Sequence, residues 1–166
     1  MAQITLNPLP KCPRVSHNPL MSIRDHPLCP HIIAMDRFTH WMTPNGIDQI
    51  KTLLLLFLPS LVTSSYLLLC NSVVPGTLSN YAPGLSQFMN FCDEFNVPEL
   101  LCMPASEQLL VLFIMAHGAF HAALGMMRHW LLGLELWHHI NGAPWFGAHA
   151  LTRATKAAGH LAPTKS

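Results

Sequence analysis

The chain has 166 residues, of which 51% are hydrophobic and 10% are charged, and its formal net charge is +1. This length fits one domain with an additional segment, and so hydrophobic a composition excludes a chain that is disordered throughout. Five cysteines without regular spacing argue against a disulfide framework and favour reduced thiols in an intracellular protein.

Residues 1–52 are rich in proline and have no sustained apolar period. Each proline removes a backbone donor and biases the preceding residue away from helix. We therefore expect a largely irregular N-terminal region with a short helix near Ile32 to His40. The first residues lack the basic-then-apolar layout of a secretory signal, so we expect none.

Residues 53–70, LLLLFLPSLVTSSYLLLC, form an uncharged run of about the length of a membrane span. Pro59 and the hydroxyl side chains at the centre of the run argue against a span, and Lys51 is the only charge nearby. We expect residues 53–71 to form short apolar segments that pack on the domain behind them. Membrane association through residues 53–70 remains an alternative.

From residue 72 onwards the apolar residues recur with helical periodicity. Thr77 is a suitable N-cap for a first helix that ends near Asn96. Its apolar stripe comprises Leu78, Tyr81, Leu85, Phe88 and Cys92. Pro83 inside this helix costs about 3 kcal/mol in an interior turn, so we expect the first turn to be separate or bent.

Three further helices are predicted over about 104–118, 126–140 and 149–158. The first is expected to stop at Gly118 and the last at Gly159. The second is expected to end at Gly142 and Pro144. The side chains expected to face inwards are Leu109, Leu110, Phe113 and Ala116, followed by Met127, Trp130, Leu134 and Trp137. The pattern predicts an all-α fold, with a small bundle of four to five helices over residues 72–166.

The last two helices carry the best candidates for a binding surface. Arg128 and His129 lie away from the tryptophan stripe, and Arg153 and Lys156 share one face of the last helix. A basic helical stripe can neutralise phosphates or enter the major groove of DNA. The alternative is an ordinary solvated face, which the near-neutral charge of residues 72–166 favours.

Signals for metal binding and catalysis are weak. His117 and His121 are four residues apart and His138 and His139 are adjacent, but no set of four ligands has the spacing of structural zinc. Glycine-rich phosphate loops, nucleophile elbows and paired carboxylates are also missing from the sequence. We therefore expect no cofactor, no metal site and no enzymatic activity.

Four sequence blocks carry a resemblance to a known family. They are TLSNYAPGL (77–85), FMNFCDEFNVPE (88–99), MPASEQLL (103–110) and HWLLGLELWHHINGAPWFG (129–147). In order and spacing they resemble the core-binding domain, or SAM-like N-terminal domain, of tyrosine recombinases and phage-type integrases. The similarity is closest to recombinase-like proteins of fungal mobile elements, and it covers residues 72–163.

The resemblance implies a SAM-like helical bundle that forms one arm of a C-shaped clamp on duplex DNA. It also implies a separate catalytic domain that carries the tyrosine nucleophile, and because none follows residue 166 we expect a non-catalytic fragment. The DNA-facing positions that it implies are Thr77, Asn80, Tyr81, Arg128, His129, Arg153 and Lys156.

The leading hypothesis from the sequence is thus double-stranded DNA binding through phosphate contacts. A nuclear or otherwise intracellular location follows from the resemblance alone. A different hypothesis is a degenerate helical module that serves a structural or protein-interaction role without DNA, and a third is membrane association through residues 53–70. Self-association stays open.

Overall fold

The computed structural model describes residues 36–117 and 124–161. Within these ranges the chain forms eight helices and no strand, which confirms the all-α fold class. The helices are α1 (Arg37–His40), α2 (Pro44–Leu56), α3 (Pro59–Cys70), α4 (Pro75–Glu94), α5 (Glu99–Cys102), α6 (Glu107–His117), α7 (Leu124–Ile140) and α8 (Ala150–Leu161).

Helices α4 and α7 form the most extensive helix pair of the fold. The stripe predicted for α7 is confirmed, because Met127, Trp130, Leu134 and Trp137 are all buried. Two glycines allow the two backbones to approach closely. A Cβ atom on Gly84 would lie 2.6 Å from the backbone of Trp130, and one on Gly133 would collide with the carbonyl oxygen of Tyr81.

An aromatic cluster joins α6 to this helix pair. The ring of Phe113 meets Phe88 edge-on at a centroid distance of 5.4 Å and lies 5.9 Å from Trp130. Such arrangements add to the stabilisation from burial alone. Helix α8 packs on α6, so it joins the core through α6.

The segment before residue 53 differs from the sequence expectation. Phe38 and Trp41 are almost fully buried in the core, and residues 44–52 belong to α2 instead of an irregular region. Pro44 occupies the first turn of α2, where its missing N–H is not needed, and the Thr43 hydroxyl caps the helix by accepting from the N–H of Gly46 at 3.0 Å. Helix α1 falls within the predicted 32–40 range, whose first residues lie outside the described part.

Several predicted helix details are corrected. Helix α4 begins at Pro75 instead of being capped by Thr77, and it continues through Pro83, which is exposed. Ala116 is exposed although it was expected to face inwards. Helix α8 continues past Gly159, whereas Gly118 lies outside the described residues.

The predicted end of α7 is confirmed, because Gly142 follows it with a φ of 64°.

Helices α2 and α3 pack on the domain more sparsely than expected. Helix α3 contacts α7, and Val62, Tyr66 and Cys70, spaced four residues apart, form its buried or half-buried stripe. The Tyr66 hydroxyl donates to the carbonyl of Thr39 at 3.2 Å. Most leucines of the 53–70 run are exposed instead of packed on the domain.

Substitution of Gly133 by alanine is expected to destabilise the fold by about 1 to 3 kcal/mol, because the new Cβ meets the α4 backbone, which has no room to move. The matched control is Gly125→Ala in the same helix, where a Cβ meets nothing within 4 Å. The control is expected to be neutral or to stabilise α7 by up to about 1 kcal/mol. Urea unfolding followed by circular dichroism measures both. Equal effects of the two variants would contradict a close α4–α7 crossing.

Candidate nucleic-acid interface

The α4–α7 pair brings together two of the three sequence segments that were expected to face DNA. The rings of Tyr81 on α4 and His129 on α7 lie 6.0 Å apart between centroids, at an angle of 45°. This contact depends on the Gly133 crossing, since the backbone of Tyr81 packs directly against that glycine. Tyr81 is half-buried at the edge of the core, and His129 is exposed.

Polar side chains neighbour this contact in the sequence of both helices. Arg128 precedes His129 and is exposed, and Asn80 precedes Tyr81 and is also exposed. Thr77 lies one turn earlier on α4 and is partly buried. We call Thr77, Asn80, Tyr81, Arg128 and His129 the α4–α7 surface. It offers one fixed positive charge together with amide and hydroxyl donors, a combination that suits phosphate oxygens.

The third predicted segment lies on a different helix pair. Arg153 and Lys156 are both exposed on α8, which packs on α6. The Nε atom of Arg153 lies 3.1 Å from Oε1 of Glu107, which forms an ion pair that is not aligned as a hydrogen bond. The charge of Arg153 is therefore partly compensated within the protein. Within the described residues no ion pair is seen for Lys156, so its charge is the one that this segment leaves uncompensated.

The charge balance of the described part is slightly acidic. Its basic residues are Arg37, Lys51, Arg128, Arg153 and Lys156. Its acidic residues are Asp36, Asp48, Asp93, Glu94, Glu99, Glu107 and Glu135. A surface that binds nucleic acid must therefore rely on local contacts, because the overall field of this part of the protein does not attract phosphates.

The chain matches no family model, no curated protein and no solved structure. In residues 36–117 and 124–161, no group of three or more His, Cys, Asp or Glu side chains is arranged to hold a metal ion. No single helix in the same ranges is long and apolar enough to cross a membrane; α3 and α4 pass that test only as a pair, with a 90° bend between them.

Tyr66 and Cys70 form a pair of titratable groups on the inner side of α3. Burial, reinforced by the neighbouring Cys70, raises the pKa of Tyr66 to about 12. Burial also raises the pKa of the Cys70 thiol, against the opposing effect of its contact with Tyr66. A reactive cysteine has the opposite shift, and both side chains belong to the stripe with which α3 packs on the core.

His138 is the most deeply buried titratable side chain of α7, and its hydrogen bonds define its protonation. Its Nε2 accepts from the backbone N–H of Ala105 at 3.0 Å, so the proton resides on Nδ1, which donates to the Leu134 carbonyl at 2.7 Å. The ring also meets Trp145 edge-on at 5.1 Å. Both nitrogens are satisfied by the protein, so His138 joins α7 to the segment before α6 and is unsuited to bind a ligand.

The same geometry makes the stability of the fold depend on pH. Burial, with a smaller contribution from His139, lowers the pKa of His138 from 6.5 to about 4, against the opposing hydrogen bond to Leu134. The unfolded chain therefore binds the additional proton between these values, and stability falls as pH decreases from about 6.5 to about 4. We expect a loss on the order of 3 kcal/mol from this group, measured by urea unfolding at several pH values.

A matched pair of variants isolates this contribution. His138→Leu should remove it from the pH dependence while lowering stability at neutral pH by about 1 to 3 kcal/mol, since the Ala105 N–H loses its acceptor. His139→Gln alters the exposed neighbour and should retain most of the pH dependence. A pH dependence that is the same in wild type and His138→Leu would refute the assignment.

Proposed function

We propose that the protein binds double-stranded DNA through its α4–α7 surface, mainly by contacts to the phosphate backbone. The observation that carries the proposal is the packing of Tyr81 against His129. It joins the start of α4 to the first half of α7, two segments that the sequence resemblance independently assigns to the DNA-facing side of a recombinase core-binding domain.

The chemistry of the surface supports phosphate contact. Arg128 is exposed and carries a guanidinium whose planar donor groups match phosphate oxygens. Asn80 and Thr77 add neutral donors on the adjacent helix. With a single fixed charge, the surface offers few phosphate contacts, so the proposal entails weak binding with little sequence discrimination.

A second candidate function is a helical interaction module that does not bind DNA. Two observations favour it: acidic residues outnumber basic ones among the described residues, and Arg153 is paired with Glu107. Under this alternative the polar α4–α7 surface is an ordinary solvated face.

The test is fluorescence anisotropy of the full chain with a labelled random duplex, over a salt series from about 50 to 200 mM. We expect the affinity to decrease as salt increases. Arg128→Ala should weaken binding and reduce the slope of log K against log salt by about 0.9, the contribution of one phosphate contact. Arg153→Ala should have a smaller effect, because that charge is already shared with Glu107.

Lys51→Ala is the matched control, since it removes one exposed positive charge from α2, outside the proposed surface. It should leave the slope unchanged. If Lys51→Ala and Arg128→Ala reduce the slope equally, attraction is governed by net charge and the α4–α7 surface has no special role. A folded chain that fails to bind at the lowest salt supports the interaction module instead.

A further inference from the structure

The end of α2, the turn that follows it and helix α3 expose a large set of apolar side chains. We call the following residues the leucine surface: Leu54, Leu55, Leu56, Phe57, Leu58, Leu61, Leu67, Leu68 and Leu69, each exposed by 43 to 86%. On α3, the inward stripe at Val62, Tyr66 and Cys70 leaves Leu61 and Leu68 on the opposite side. These two leucines therefore face away from the core.

The apolar area of the leucine surface can be set against the area that a protein interface needs. A fully buried leucine or phenylalanine contributes about 1.5 to 3 kcal/mol at about 25 cal/mol per Å², which corresponds to roughly 60 to 120 Å² per side chain. Nine side chains that are about half exposed or more thus present several hundred Å² of apolar surface. This is about the size of the largest apolar patch on a typical monomer and amounts to roughly 40 to 80% of the approximately 800 Å² that each partner contributes to a stable complex.

The surface also carries no charge. The sequence has no Asp, Glu, Lys, Arg or His between Lys51 and Asp93, which spans the end of α2, all of α3 and most of α4. In a two-fold symmetric dimer the same patch faces itself, so a charged residue near the axis meets a like charge. An apolar patch without charges avoids this repulsion and is well suited to pair with its own copy.

The composition fits a second protein surface better than a lipid surface. Interfacial membrane helices place lysines and arginines beside their apolar face, whereas α2 carries only Lys51 and Asp48 and α3 has no charge. Ser60, Thr63 and Ser64 are exposed on α3 between the leucines. Burying these hydroxyl groups among lipid chains costs free energy unless each finds a hydrogen-bond partner.

We propose that two copies of this chain associate through their leucine surfaces, with α2 and α3 of both copies contributing to the interface. The proposal does not rest on DNA binding, because the α4–α7 surface and the leucine surface consist of different residues on different helices. The partner that we propose for the leucine surface is a second copy of this chain.

Sedimentation velocity of the full chain over a concentration range of about 1 to 100 μM tests the proposal. The expected species is a dimer of twice the 18.4 kDa chain mass. Leu68→Glu, at a side chain that is 75% exposed, should give a monomer with unchanged helical content, since it places two carboxylates in an apolar interface. Leu100→Glu on α5 is the matched control, because it is also 75% exposed but lies outside the leucine surface, and it should remain dimeric.

A second variant covers the case in which the glutamate disturbs α3 itself. Leu55→Ser, at the most exposed leucine, adds no charge and should raise the dimer dissociation constant by about tenfold or more, because it removes apolar area from both copies. A wild-type chain that is monomeric throughout the range overturns the proposal, as does a Leu68→Glu chain that stays dimeric. A monomer that floats with phosphatidylcholine vesicles, and loses this with Leu68→Glu, would assign the surface to lipid and also overturn it.

Discussion

The close approach of α4 and α7 at Gly84 and Gly133 is the constraint on which the rest of the fold depends. Helix α7 also contacts α1 and α3, and α4 also contacts α1 and α6, so the separation of these two helices sets the position of the others. On the inner side, the crossing places Trp130 beside Phe113 and so completes the aromatic cluster. On the outer side, it brings Tyr81 to His129. Larger residues at the two glycines would separate both pairs.

Buried polar groups complement this packing at the C-terminal end of α7. The Thr43 hydroxyl contacts the side-chain oxygen of Asn141 at 3.0 Å, and the Asn141 amide donates to the Trp137 carbonyl. The Trp137 indole N–H points to the Trp41 carbonyl at 3.4 Å. Apolar packing tolerates small displacements, whereas buried polar groups lose stability when their partners move. These contacts therefore define how the segment from α1 to α2 is joined to α7, although the two are far apart in sequence.

The sequence predicts the elements whose pattern is local and misses those that depend on distant partners. The stripe of α7 is predictable because its buried residues repeat at helical spacing and Gly142 ends the helix. Helix α2 is missed because the surrounding prolines suggest an irregular chain, while Pro44 occupies the one helical position where proline is well tolerated. The leucines of α3 are expected to be buried because hydrophobicity alone does not indicate which side of a helix has a partner.

The candidate site likewise has features that the sequence predicts and features that it does not. Residue type predicts that Arg128 and Arg153 are exposed, because isolated arginines are rarely buried. The pairing of Arg153 with Glu107 is not predictable, since it follows from the packing of α8 on α6. The contact of Tyr81 with His129 likewise requires the register of the α4–α7 crossing, which no single-helix pattern contains.

If both proposals hold, pairing through the leucine surface increases the number of phosphate contacts that one particle can make. One α4–α7 surface has a single fixed positive charge in a slightly acidic environment, so under the proposed function one copy would bind DNA weakly by counterion release alone. The proposed pairing through the leucine surface would link two such surfaces in one particle, and the second would then engage DNA at a high effective concentration. If both proposals hold, DNA affinity rises with protein concentration over the range in which dimers form. Pairing through the leucine surface would then compensate for the shortage of basic residues on α4 and α7.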